Sequence, residues 1–223
     1  MRTQSVFAVL VSCAWLAGCA QIPATREPVN LSTAKAAVVR YHDSGEYARE
    51  LAEVASRATR WIEQRAAARR AGERLAVVFD IDETVLSNYG HMHGEDFGYK
   101  PEVWAAWVAR AEAPAIEPVR EVFRTARRLG VAVVFITGRR DPRDRAGTEL
   151  NLAREGMGDY ERLMMTPQDG RSLSAAARKV EMRRALATDG FTIIANLGDQ
   201  QSDLAGGFAE RGFKLPGPFY RID

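Results

Sequence analysis

Cysteine is almost missing from this 223-residue sequence, and what there is lies at one end. Cys13 and Cys19 are the whole supply. Everything after residue 19 must therefore hold together by its hydrophobic core, without a disulfide. Lysine is scarce as well: of 31 basic residues only Lys35, Lys100, Lys179 and Lys214 are lysines. No internal repeat or low-complexity tract is apparent. The apolar stretch from Val6 to Ala17 falls short of the roughly 20 residues a spanning helix needs. The formal charge is only +2, too small to argue for nucleic acid as a partner, although a local basic cleft remains compatible with it. What is present is an ordinary globular mixture, 46% hydrophobic and 27% charged, which argues against wholesale disorder and is long enough for one domain with a real core.

The first residues stand apart. Arg2, the apolar Val6–Ala17 stretch and then Leu16-Ala17-Gly18-Cys19 follow the layout of a signal peptide and resemble a bacterial lipobox. The resemblance implies removal of residues 1–18, a diacylglycerol on the Cys19 thiol, and a polar tether over residues 19–31. Several acyl chains hold a protein on a membrane without a spanning helix. Ala20 is not the Asp associated with inner-membrane retention, which points to the outer membrane, facing the periplasm. An ordinary secretory signal or a short anchor is the alternative.

From Ser32 to Arg70 apolar residues recur at helical spacing with a break near Ser44-Gly45, which predicts two amphipathic helices. Leu75–Phe79, Val131–Ile136 and Phe191–Leu197 are continuous apolar runs, as expected of strands buried on both faces, with Leu163–Met165 as a shorter candidate. Between them helical patterns run from Glu117 to Leu129, Arg143 to Glu155 and Ser172 to Thr188, each closed by a glycine. Alternating strands and helices predict an α/β, doubly wound parallel sheet over residues 32–223. Residues 87–114 break the rhythm with glycine and aromatics, and read as a small cap inserted after the first strand.

In such a sheet ligands bind beyond the carboxyl ends of the strands, and three motifs fall there. Asp80 and Asp82 close the first strand, two residues apart and so on one side of an extended chain. Paired carboxylates repel unless a cation or shared proton relieves them, and oxygen-only ligands suit Mg²⁺. Thr137-Gly138-Arg139 closes the second long strand, where a hydroxyl and N–H groups at a strand-to-helix turn suit a phosphate. Asp199 closes the last, with Asp203 on the same face if a helical turn follows. Lys179 lies on the helix between. Each has a plain alternative: solvated turn, common strand ending, helix cap, exposed lysine.

Taken in order, DxDxT, TGR, K and GDxxxD resemble the haloacid dehalogenase (HAD) superfamily. The stretches Phe79–Asn88, Ala113–Ile116, Gly198–Leu204 and Phe213–Tyr220 are similar to its subfamily IIIB acid phosphatases, over roughly Arg40 to Asp223. That resemblance implies Asp80 as nucleophile and Asp82 as general acid. It implies one Mg²⁺ per chain held by Asp80, the Asp82 carbonyl and Asp199, with Asp203 as a further ligand or as support behind them. Thr137, Gly138 and Lys179 would bind the phosphoryl oxygens of a small phosphomonoester. Substrate choice would lie in the cap, where Tyr89, Tyr99, Trp104 and Trp107 either stack on a flat group such as a nucleobase or pack the cap onto the core. His91 and His93 form an isolated H-x-H, short of the ligands a zinc site needs; His91 beside the leaving group is the other reading. A catalytically weak storage or binding protein, a phosphotransferase and a phospho-acceptor domain remain as rivals. Substrate identity and oligomeric state are not legible.

Overall fold

The computed structural model describes residues 27–169 and 173–222; the expected signal peptide, the Cys19 lipidation site and most of the tether lie outside the described residues. The chain enters as α1 (Leu31–Asp43), capped by the Asn30 side chain on the Ser32 and Thr33 N–H groups. Gly45, at φ +77°, turns it into α2 (Glu46–Ala67). That left-handed backbone is where glycine is favoured, and it is the break read at Ser44-Gly45. On α2 the stripe Tyr47, Leu51, Val54, Ala55, Ala58 and Ile62 is buried, one face at helical period.

β1 (Arg74–Phe79) is the central strand. After it come α3 (Tyr89–Gly94), α4 (Pro101–Arg110), α5 (Glu117–Arg128), β2 (Ala132–Asp141), α6 (Arg145–Arg154), β3 (Arg162–Pro167), α7 (Ala175–Thr188), β4 (Phe191–Gly198), α8 (Gln201–Leu204) and β5 (Gly212–Lys214). The five strands lie in the order β3-β2-β1-β4-β5 and pair in parallel throughout. Alternation along β1 explains the two cores. Leu75, Val77 and Phe79 pack with α2 and α5, whereas Ala76 and Val78 pack with Leu186 of α7 on the opposite face. Each fully buried aliphatic or aromatic side chain contributes about 1.5–3 kcal/mol, so the unbroken apolar strands and the striped helices are one design. The strand order reverses between β1 and β4, which opens a crevice at their carboxyl ends.

Two expectations need correction. β2 does not end at Ile136: it runs to Asp141, with a register shift between Thr137 and Arg140 and renewed pairing of Arg140 with Thr166. Thr137-Gly138-Arg139 is therefore a bulge within a strand, not a strand-to-helix turn, because β3 extends far enough to satisfy the polar residues that follow. α6 accordingly starts at Arg145 rather than Arg143. The inserted segment carries α3 and α4. A side chain at Gly147 of α6 would overlap the Val108 carbonyl of α4, so glycine there lets the cap seat directly on the main domain.

Candidate functional site

Asp80 prolongs β1: its N–H donates to the Leu197 carbonyl at 2.9 Å. Beyond it residues 81–86 close into a tight turn in which the N–H groups of Thr84, Val85 and Leu86 all donate to the Ile81 carbonyl. Asp80 is thus fixed at the strand end, 6% exposed. Asp199 follows β4, and the Gln200 N–H donates to Asp203 Oδ2 at 2.8 Å, capping α8 and turning Asp203 back toward the sheet. A side chain at Gly198 would overlap Asp203, so this return needs glycine. From α7, Lys179 Nζ lies 2.5 Å from both Asp80 Oδ1 and Asp203 Oδ1. One carboxylate oxygen from each of Asp80, Asp199 and Asp203 falls within 4.8 Å of the others.

Charge in this cluster is unbalanced. Burial pushes the Asp80 carboxyl well above the usual range; Lys179 opposes this, while Asp203, Asp199 and Asp82 add to it. Burial and then Asp203 push Asp199 up to about 8. Burial works against the Lys179 ammonium, but Asp80 and Asp203 overcome it and hold its pKa above the ordinary value. Asp199 Oδ2 accepts from Gln200 Nε2 at 2.6 Å, whereas Oδ1 is buried with no hydrogen-bond partner. An orphaned buried carboxylate oxygen among three carboxylates and one ammonium fits a hard divalent cation with oxygen ligands, of which Mg²⁺ is one.

Asp82 lines the same cavity as Asp80, but its carboxylate stands outside that cluster. Oδ1 accepts from Arg139 Nη2 at 2.7 Å, Arg139 Nε at 3.1 Å and Asn88 Nδ2 at 3.0 Å. Oδ2 has only Arg139 Nε at 3.3 Å. The Asp82 carbonyl, expected to face a metal, accepts from Tyr220 Oη at 3.3 Å. Gly138 is exposed on the cavity wall. Thr137 is 1% exposed and does not line the cavity; its Oγ1 accepts from the Arg139 N–H at 3.1 Å, which keeps its own proton to donate. The bulge thus brings Gly138 to the surface and folds Thr137 beneath it.

Sequence reasoning gave no role to Arg139, Asn88, Glu83 or Tyr220. Arg139 stood in plain view inside TGR. Glu83 is fully buried and accepts from the Asn88 N–H at 2.5 Å and Nδ2 at 3.0 Å; burial lifts its carboxyl to about 8 against those donors. Asn88 in turn accepts from Trp107 Nε1 at 2.7 Å. Tyr220 lies in a tail without periodicity; the Phe213–Tyr220 stretch carried the family resemblance but gave this residue no role.

The cavity above Asp80 has a volume of about 610 Å³, the size of a small-molecule site. The four cap aromatics divide. Trp104 and Tyr99 line the cavity, Tyr99 with 70% exposure. Trp107 is tied to Asn88 and stacked on His91 (5.1 Å between centroids), and Tyr89 stacks on His42 of α1 at 3.4 Å. The zinc reading of His91 and His93 gains no support: His93 packs on Tyr89 and Phe97. Among the described residues the one grouping of three potential metal ligands is the aspartate cluster. His91 does reach the cavity, and burial lowers its pKa.

Comparison with known proteins places the chain in a family. Acid phosphatase 1 of Solanum lycopersicum is 36% identical over 149 residues, 65% of this chain and 58% of that protein. The Stem 28 kDa glycoprotein of Glycine max is 35% identical over 151 residues, 59% of its length. The chain therefore spans less than two thirds of these relatives. The solved Class C acid phosphatase from Bacillus anthracis superposes with a TM-score of 0.69 at 23% identity, over 86% of this chain and 85% of that one, a likeness of fold. The model of the HAD superfamily, subfamily IIIB (Acid phosphatase), matches residues 8–223. Nearly the whole chain is covered by that match, and it belongs to subfamily IIIB of the HAD superfamily.

Proposed function

We propose that the protein is a magnesium-dependent phosphatase that hydrolyses small phosphomonoesters through a phosphorylated Asp80. The observation that carries this reading is the Asp80–Lys179–Asp203 arrangement beside the partnerless Asp199 oxygen, at the floor of an open cavity. Asp80, Asp199 and Asp203 would hold Mg²⁺, with the Asp82 carbonyl as a further ligand. When bound, the ion neutralises charge between an anionic nucleophile and an anionic ester.

The Asp80 carboxylate attacks phosphorus, the bond from phosphorus to the ester oxygen breaks, and the leaving oxygen takes a proton from Asp82. Water then attacks the acyl phosphate and gives its proton back to Asp82, which releases inorganic phosphate and restores Asp80. Lys179 and the Gly138 N–H bind phosphoryl oxygens, with the Thr137 hydroxyl beneath them. Arg139 and Asn88 grip Asp82 through Oδ1 and so aim Oδ2 at the leaving group. The cap aromatics Trp104 and Tyr99 receive its organic part, which a flat ring such as a nucleobase would suit. In the cell, Cys19 would carry the lipid that fastens the domain to the outer membrane.

The test is hydrolysis of p-nitrophenyl phosphate by the soluble domain with Mg²⁺ and with EDTA. Turnover that needs the metal supports the reading. A folded, metal-loaded protein without turnover between about pH 5 and 8, where side chains of ordinary pKa change charge, contradicts it and favours a storage or binding role.

A further inference from the structure

Past Gly138 the bulge in β2 sends two successive arginines different ways. Arg139 turns inward to Asp82 and is 3% exposed. Arg140 lines the cavity, half-buried, and its N–H is anchored on Asp144 Oδ2 at 2.7 Å. Among the described residues its guanidinium meets only the Pro167 carbonyl, at 3.3 Å, and no carboxylate. Arg143 lines the cavity in the next turn, forked onto the same Asp144 through Nε–Oδ1 at 2.7 Å and Nη2–Oδ2 at 2.9 Å. Asp144 is 2% exposed, so one buried carboxylate fixes the Arg140 backbone and the Arg143 guanidinium. Arg143 also feels Tyr99 and Glu102 of the cap, which places it toward the mouth. Arg178 lines the cavity from α7, one residue before Lys179.

The reacting phosphate has its counter-charges at the floor, in Lys179 and the proposed ion. The arginine wall lies beyond them, on the β3 side, where the leaving group must extend. A guanidinium at the cavity wall without a carboxylate favours an anionic partner, and its planar fork matches a phosphate. The fork on Asp144 fixes the Arg143 guanidinium, and the Arg140 N–H on the same carboxylate fixes the backbone from which its side chain enters the cavity. We infer that this wall binds a second, non-reacting phosphate, so that the preferred substrates are phosphomonoesters whose leaving group itself carries a phosphate. The inference rests on the phosphatase reading and deepens it.

A matched pair of probes tests it: adenosine 5′-monophosphate and adenosine 3′,5′-bisphosphate, with p-nitrophenyl phosphate run beside them on the full metal-loaded protein. The expected kcat/KM for phosphate release is at least about tenfold higher for the bisphosphate, in line with one charge-assisted contact. Arg140→Gln should reduce that ratio about tenfold, and Arg140→Lys should recover part of it by keeping the charge without the fork. A ratio near one in the parent protein, with p-nitrophenyl phosphate turned over, overturns the second-phosphate inference and leaves the phosphatase reading standing. So does a ratio that Arg140→Gln leaves unchanged. If no probe is turned over, the phosphatase reading falls, and the ratio of the two dissociation constants, measured by titration calorimetry, decides the wall by itself. Tighter binding of the bisphosphate that Arg140→Gln abolishes supports it, and equal binding overturns it.

Discussion

Replacing Lys179 with methionine removes the one ammonium from the aspartate cluster while keeping a long apolar stem. In the parent protein Nζ sits 2.5 Å from Asp80 and from Asp203, and the three side chains are 10%, 7% and 3% exposed. Removing one partner of a buried ion pair costs about 3–5 kcal/mol, because the remaining charge is left uncompensated. In a domain of this size each kcal/mol shifts Tm by about 2–4 °C, so a metal-free Lys179→Met protein should melt about 6–20 °C lower near pH 7.5. Asp80 and Asp199, already raised by burial, lose the ammonium that opposes that rise, so their folded pKa values move further above the unfolded ones. A raised acid contributes stability below its unfolded pKa and loses it as pH rises through its folded pKa. The variant's deficit should therefore shrink toward pH 5, by up to about 1.4 kcal/mol per pH unit for each proton taken up. Mg²⁺ should recover part of it by supplying positive charge to the same oxygens. Urea unfolding of parent and variant at pH 5 and 7.5, with EDTA and with Mg²⁺, measures all three effects. Equal stabilities at pH 7.5 in EDTA, or a deficit that ignores pH, would refute the reasoning.

Three further outcomes follow from neighbouring geometry. Asp199, pushed up to about 8 without metal, must lose its proton to bind a cation. Mg²⁺ affinity should rise with pH up to about 8, with proton release visible by calorimetry in buffers of different ionisation enthalpy; pH-independent affinity would contradict the burial argument. Arg183, 1% exposed, donates to the carbonyls of Asp203 at 2.6 Å, Gly207 at 3.0 Å and Ala205. Arg183→Met should destabilise by about 2–4 kcal/mol and raise the Mg²⁺ concentration for half-maximal turnover, whereas unchanged metal dependence would restrict Arg183 to a structural role. Gly147→Ala sets a methyl against the Val108 carbonyl and should cost about 1–3 kcal/mol as the cap shifts; an unaltered urea midpoint would show that the contact is loose.

The sheet was legible in the sequence because buried parallel strands are written as continuous apolar runs: Leu75–Phe79 and Phe191–Leu197 match β1 and β4 to within a residue. β2 was legible only as far as Ile136, since its continuation is polar and exists only by pairing with β3. That single fact also moved Thr137 from the cavity wall to beneath it. Asp80, Asp199, Asp203 and Lys179 converge as their motifs suggested, because each follows a strand end or lies on the helix above one. Arg139, Arg183 and Tyr220 were not legible as partners. Their roles depend on contacts across 57, 20 and 138 residues, and local pattern carries no trace of such distances. The cap aromatics show the same limit: spacing alone could not tell Trp104, on the cavity, from Trp107, tied to Asn88.

The central claim is covalent: phosphate passes through Asp80. The most direct measurement is acid quenching of the Mg²⁺-loaded protein within one turnover of a ³²P-labelled phosphomonoester, followed by peptide mapping. The account predicts acid-stable, hydroxylamine-labile label on the peptide that contains Asp80, and none in Asp80→Asn. Turnover that leaves no label on the protein, or label that persists in Asp80→Asn, would contradict it.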